Sequence, residues 1–579
     1  MTLLKRLMTA GLALAALVVA AEEFGPVSID VVPQMNHSFS FDGYQVHELR
    51  MRNRGLKPVQ VHFLLRLRGG QSLRVERTVL LAPAATTQTF LFHPNSFSYL
   101  NAEPLEVYID GRRAKQTLHL NYRYGNNECL VSPSLPVQDY RKLRFIVDNA
   151  EATSITISQW GRYLRDYIGF LKIYLSSEDR LPPEVEEPIM QWVRLGGNLL
   201  ILVPPDAPWP ENVPQPAENG VYEKPLGWGR IIYCRPIAAA DKKKAEEFVK
   251  SNKAPVPSWR YTKSEEASLP DLGPAASFLR SHQSMGKQGP AMEPTNLMPN
   301  MMNVPLQLLF CVMLFFAILI GPVNFWVLKR RKKEPWILVT TPIISLLFCG
   351  VVILFITFKE GWYSRGRAVA VTLLDQTTQQ AVTKGWMAVY APIAPRGGFD
   401  FPMETCLAFR NSGGFTLDLD SSQHFDSGLI QPRIPLGYRT NQVTTQHERL
   451  QVQGIENKQM RLVNGLGGTL TELAVVGADG HIYRAEQPVA AGASVAIPAS
   501  TAARSGVKQL RTGLLIQAFG NLPGKPNITF TAEQLPPGYY AAVADAPLFF
   551  APGLIPEKFQ MEQYIIGKYD TIGEEKHGN

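Results

Sequence analysis

The residue types best suited to chemistry gather after two short apolar runs. Asp148 and Asn149 follow residues 143–147, and Ser176, Ser177, Glu178 and Asp179 follow residues 170–175. If those runs are strands of an open parallel sheet, all six residues stand at carboxyl ends, where such sheets bind ligands. Carboxylates placed there could serve as general acid and base on a glycan or peptide bond. Turn and helix-cap duty is the commoner use of the same residue types.

Other chemistries find less support. A cysteine nucleophile needs a base within hydrogen-bond reach. Cys129 and Cys234 have none nearby in sequence, because no histidine lies between His119 and His282. The five cysteines form neither a zinc ribbon nor a CxxC pair. No HExxH or G-x-S-x-G pattern occurs. Asp418, Asp420 and Asp426 with His424 could face a hard cation. The calcium-loop template, however, wants Gly and Glu where Gln423 and Leu429 stand. Gly520-Asn-Leu-Pro-Gly-Lys525 is too short for a phosphate loop, and Pro526 replaces the magnesium-holding hydroxyl. The sequence therefore assigns no catalytic residue, cofactor or metal ligand, and a non-enzyme is the expectation.

The elements that would position the strand-end residues are legible. Pro182 and Pro183 open a helix with Glu184, Glu186 and Glu187 in its early turns and Arg194 near its end. Val185, Ile189 and Val193 form one stripe, and Gly196-Gly197 ends the helix. Residues 198–203 and 228–234 read as further apolar strands, and Ile157, Trp160, Leu164 and Ile168 have helical spacing. Alternating strand and helix predicts a small α/β parallel-sheet domain, flavodoxin-like in class, at 128–240. Before it, strands at 27–32, 59–67, 89–92 and 105–109, separated by glycine turns, predict an Ig-like β-sandwich at 22–127. A Pro-, Ser-, Gly- and Met-rich linker or tether follows at 241–303. Strand patterns return in 359–579, an expected β-rich region of one or two β-sandwiches, with 514–518 among the strands.

Charge and hydropathy set the expected location. Net charge is +8. Lys5 and Arg6 supply two charges, and Lys329, Arg330, Arg331, Lys332 and Lys333, less Glu334, supply four, leaving +2 for the rest. Nucleic acid needs a concentrated basic face, so it is excluded as the partner. Residues 1–21 read as a signal peptide, cleaved or retained as an anchor. Residues 304–328 and 335–358 carry no charge, and at ~1.5 Å per residue each reaches about 36 Å, enough to cross a bilayer. Trp326 and Trp336 flank the basic loop 329–334, and Trp362 and Tyr363 follow the second span, at headgroup level. The basic loop predicts a cytoplasmic elbow, and an even number of crossings returns both large regions to the other side.

The stretch Leu175-Ser-Ser-Glu-Asp179 through Trp192-Val-Arg-Leu-Gly-Gly197 to Val203 resembles the class I glutamine amidotransferase-like module of largely uncharacterised bacterial envelope proteins. Gly321-Pro-Val-Asn-Phe-Trp-Val-Leu-Lys-Arg330, Tyr539-Tyr-Ala-Ala-Val543 and Ile565-Ile-Gly567 resemble further parts of the same proteins. The resemblance implies an architecture rather than an activity, because Val203 runs into Pro204-Pro-Asp-Ala-Pro-Trp209 without the nucleophilic Cys. The expectation is therefore a membrane-anchored, extracytoplasmic binding or assembly protein of the bacterial envelope, multi-pass in the inner membrane, whose partners are the bilayer and an envelope protein or glycan. A glycan or peptide hydrolase and an accessory subunit of a transporter are the alternatives.

Overall fold

The computed structural model describes residues 22–32, 43–68, 72–94, 101–102, 104–120, 127–135, 151–170, 172–204, 207–215, 221–234, 306–360, 363–395, 397–409, 414–426, 428–499 and 537–571. The signal segment, the 143–147 run with Asp148 and Asn149, the tether, the 514–518 run and Gly520 to Lys525 lie outside these residues.

Among the described residues β-sheet dominates, in five sheets. Glu22–Phe24, Val27–Val32, Tyr44–Asn53 and Thr86–Pro94 form an antiparallel four-stranded sheet. An eight-stranded sheet contains Val59–Arg68, Ser72–Leu81, Leu105–Ile109 and Arg112–Leu118, but also Phe399–Phe401, Phe415–Asp418 and Gln423–Phe425. The link is a parallel ladder, with Phe415 opposite Leu73 and Asp418 opposite Glu76. The Thr78 amide donates to Asp420 Oδ1 and the Leu419 amide donates to the Glu76 carbonyl. Strands from both sides of the apolar helices thus share one sheet, a pairing that no local spacing predicts.

A second eight-stranded sheet is built on Arg365–Asp375 and Lys558–Lys568, which run parallel to each other. Gln380–Tyr390 and Leu436–Thr445 extend it on one side, Tyr539–Ala544 and Leu470–Val476 on the other. Gln563 sits at its centre, donating to Thr372 Oγ1 (2.8 Å) and accepting from the Leu548 amide (2.8 Å). One apolar core runs from Phe24 to Ile566 and so joins residues from both halves of the chain.

A six-stranded sheet has the order Glu151–Ser154, Asn127–Val131, Lys172–Ser176, Asn198–Leu202, Gly229–Cys234, Val221–Leu226. The first five strands are mutually parallel and the last is antiparallel. Helix Pro183–Arg194 buries Val185, Ile189, Trp192 and Val193. Its end explains the Trp-Val-Arg-Leu-Gly-Gly motif. Gly196 takes a positive φ of 113°. A Cβ on Gly197 would stand 2.3 Å from the Trp192 ring, and one on Gly229 would stand 2.1 Å from the Val193 carbonyl oxygen. The motif is a packing device that lets helix and strand touch through their backbones.

One helix differs from expectation. Residues 157–168 form only a 3₁₀ turn at Ile157–Gln159 and a short helix at Leu164–Tyr167. The Asp166 carboxylate folds back to accept the Tyr163 amide at 3.0 Å, starting a new helix there. Gly161 packs against that carboxylate.

Between the halves stand two helices long and apolar enough to cross a membrane, Phe310–Arg330 and Ile337–Leu354 within longer helical runs. Their apolar side chains are largely exposed. Pro322 lies in a π-helical turn at Leu319–Val323, as expected where proline cannot donate its helical hydrogen bond. Asn324 is buried between the helices, accepting from Thr340 Oγ1 (3.1 Å) and donating to Thr341 Oγ1 (3.3 Å). In the elbow, Lys332 adopts a φ of 55° and Lys333 donates its amide to the Leu328 carbonyl. Arg330 lies 5.3 Å from the Trp326 ring and Lys333 5.8 Å from that of Trp336.

Candidate functional site

The strand-end residues that can be located form a closed turn. Lys172–Ser176 ends at Ser176, whose amide donates to Asp179 Oδ2 at 2.7 Å. Asp179 Oδ1 accepts the Ser134 hydroxyl at 2.7 Å, and Ser134 in turn pairs with the Ser132 hydroxyl at 2.9 Å. The Ser177 amide donates to the Leu202 carbonyl, and the Glu178 amide to Ser176 Oγ. Both carboxylate oxygens of Asp179 are therefore engaged in joining two loop segments at the carboxyl edge of the parallel sheet. Ser132 and Ser134, which complete this turn, follow a strand that the sequence pattern does not reveal.

The other candidate groups are also placed. Cys129 is buried in the second strand of that sheet, and Cys406 is buried elsewhere, its thiol pushed up to about 12 by burial. A thiol so displaced is no nucleophile. His424 Nδ1 lies 2.9 Å from Asp400 Oδ1, and the same oxygen accepts the Ser422 hydroxyl at 3.0 Å. A serine nucleophile must reach the second imidazole nitrogen, so Ser422, bonded to the carboxylate instead, is not arranged as a catalytic triad. Asp418 accepts the Asp420 amide while Asp420 accepts Thr78, so both serve the ladder between the two halves. Among the described residues no group of three or more His, Cys, Asp or Glu could hold a metal ion. A polar cleft of about 190 Å³, lined by Gln376, Gln379, Gln446, His447, Glu448 and Arg449, opens at the far end of the Arg365–Asp375 strand.

Several strongly perturbed titratable groups meet where the halves join. Arg165 stacks its guanidinium 3.7 Å from the centre of the Phe92 ring and donates to the Met403 carbonyl at 2.6 Å. Tyr44 accepts the Leu407 amide on its hydroxyl. Burial raises that hydroxyl far above the ordinary tyrosine range, with Cys406 adding to the shift. Asp166 is buried, and desolvation pushes its carboxyl up to about 7. The Tyr163 amide and the Arg165 charge oppose that shift. Asp166 Oδ1 is buried with no hydrogen-bond partner among the described residues. Perturbed groups cluster at functional sites and at structural junctions alike. Here the Arg165–Met403 and Tyr44–Leu407 hydrogen bonds span the seam between residues 44–168 and 403–407, which marks a junction. The sequence signal was faint, an Arg165-Asp166 pair inside an aromatic run.

No protein-family model matches the chain, and no curated protein does. Two solved structures of the yeast delta-COP-I mu-homology domain, one complexed with a Dsl1 WxWxV peptide, each align over 36% of this chain. They cover 97% and 98% of their own chains at 8% identity, with TM-scores of 0.18 and 0.16. A likeness that low carries no functional argument.

Proposed function

We propose that the chain is a membrane-anchored, non-catalytic binding or assembly protein of the bacterial cell envelope, with both halves on the extracytoplasmic side. The observation that carries this reading is the ladder between Phe415–Asp418 and Ser72–Leu81. Two halves that share a sheet must lie on one side of a bilayer, and two intervening helices, an even number, allow that. The elbow's five cations, Lys329, Arg330, Arg331, Lys332 and Lys333, favour the cytoplasmic face for the loop. The extracytoplasmic body combines sandwich-like β layers of Ig-like type with the mostly parallel sheet that the amidotransferase-like resemblance implies. It offers surfaces to a protein or glycan partner in the inner-membrane envelope space.

The engagement of Asp179 in a turn counts against a strand-end hydrolase. The test is a pair of reporter fusions with an enzyme active only after export. Fusion after residue 363 should be active and fusion at Lys332 silent. The opposite pattern would overturn the orientation and the envelope function built on it. Alanine at Glu178 and Asp179 should leave cellular function intact when protein levels are matched.

A further inference from the structure

Outside the two apolar helices and the elbow joining them, seven large apolar side chains are exposed among the described residues. Four of them collect at one end of the second eight-stranded sheet: Tyr363, Ile393, Ile434 and Ile555, exposed by 52%, 60%, 46% and 64%. The sheet's register fixes this placement. Arg365 pairs with Tyr390 and lies level with Lys558, and Val389 pairs with Leu436, so the loops before and after these residues emerge together. The Arg433 amide donates to the Ala391 carbonyl, which fastens the Ile393 and Ile434 loops to each other. The Glu557 amide donates to Ser364 Oγ and the Lys558 amide to the Ser364 carbonyl, which fastens the Ile555 loop to the chain leaving the second helix.

That chain is short. Helix Ile337–Glu360 ends five residues before Arg365, so at most about 18 Å separates helix end from strand start. The apolar loop tips therefore project from the sheet end that is leashed to the helix. Lys558 lies 5.1 Å from the Tyr363 ring, a cation and aromatic pair suited to the headgroup level. The opposite end of the sheet, about 34 Å away along ten residue steps, carries Thr377, Thr378 and Gln379 instead.

We propose that the loops bearing Ile393, Ile434 and Ile555 form a rim that seats the sheet on the headgroup layer of the bilayer crossed by the two helices. The proposal rests on the spanning reading above. It makes the body stand on the membrane at a fixed attitude rather than swing on a leash.

The test uses the full chain in liposomes of phosphatidylcholine and phosphatidylglycerol, in a Cys311→Ala, Cys349→Ala background whose unsubstituted form is the labelling blank. Single cysteines at positions 393, 434 and 555, and at Thr378 as the distant control, receive an environment-sensitive fluorophore. With a headgroup-nitroxide lipid in the vesicles, the three rim labels should shift to the blue and be quenched, and the label at 378 should do neither. Rim labels that behave like the 378 control, on protein retained in vesicles through an alkaline wash, would overturn the rim alone. Release of the protein by that wash would overturn the spanning reading and the rim with it.

Discussion

Asp166→Asn isolates the energetics of the junction. The Asp166 carboxyl is raised to about 7 in the folded chain, from an ordinary 3.8, chiefly because burial penalises its charge. Between those values the folded state holds a proton that the unfolded segment has released. Local stability is therefore greatest below about pH 4, falls as pH rises through 7, and is flat above. From pH 8 down to pH 5, two units below the folded value, the gain is about 2.7 kcal/mol at 1.36 kcal/mol per unit, or close to a hundredfold in an opening equilibrium. The asparagine oxygen can still accept the Tyr163 amide, so the variant keeps the turn and loses the titration. Hydrogen exchange across residues 163–168, corrected for intrinsic rates, reads the effect directly. Protection of the unsubstituted protein should rise by one to two orders of magnitude on acidification to pH 5, and that of Asp166→Asn should not. Equal slopes for the two proteins, or a flat profile for both, would refute the reasoning.

Trp192→Ala removes a fully buried indole whose Nε1 donates to the Phe170 carbonyl. It should cost about 3–5 kcal/mol and expose residues 183–202 to limited proteolysis. Asp179→Ala leaves the Ser176 amide and the Ser134 hydroxyl without their acceptor. A loss of about 1–3 kcal/mol by denaturant titration, with cellular function kept where protein levels are matched, is the expected result. A chain lacking the residues before 304 should lose exchange protection at Phe415–Asp418, whose partner strand is then missing. Protection in Arg365–Asp375 and Lys558–Lys568, which pair with each other, should persist.

Legibility in the sequence followed the range of the forces involved. The two apolar helices were plain because every residue contributes to the same transfer term. Helix Pro183–Arg194 was plain because caps, dipole charges and stripe agree. The sequence-based reading missed strand Asn127–Val131, since only its last three residues are apolar and it is held by neighbours on both sides. It extended a helix over 157–168 from four well-spaced apolar residues, where one carboxylate and Gly161 impose a break. Of the candidate residues, Ser176, Ser177, Glu178 and Asp179 stand at the end of strand Lys172–Ser176, where a local apolar run marks the strand. The engagement of Asp179 by Ser134, 45 residues earlier in the chain, was invisible to local pattern. The junction around Asp166 draws on residues near 44, 92, 165 and 406, and no window spans them.

The shared sheet also constrains how the chain assembles. Thr78 and Asp420, which touch, are 342 residues apart, and closing a loop of that length costs about 5 kcal/mol in chain entropy. Until the second half arrives, Ser72–Leu81 is the edge of its sheet, a position that invites pairing with the wrong strand. Its sequence answers that hazard: Arg74, Glu76 and Arg77 place charges along the waiting edge. Arg77 later donates to the Phe90 carbonyl and lies near Asp418 and Asp420, with burial lowering its pKa first of all. Burying that charge is costly unless the aspartates arrive with their strand, so Arg77 makes the unpaired edge soluble and makes the completed ladder selective for the segment carrying Asp418 and Asp420. A helical hairpin between the halves assists the same step, because two helices folded back on each other return the chain near its starting point. The ladder, its guarding charges and the paired helices are thus parts of one solution to joining two distant halves of a chain into one sheet.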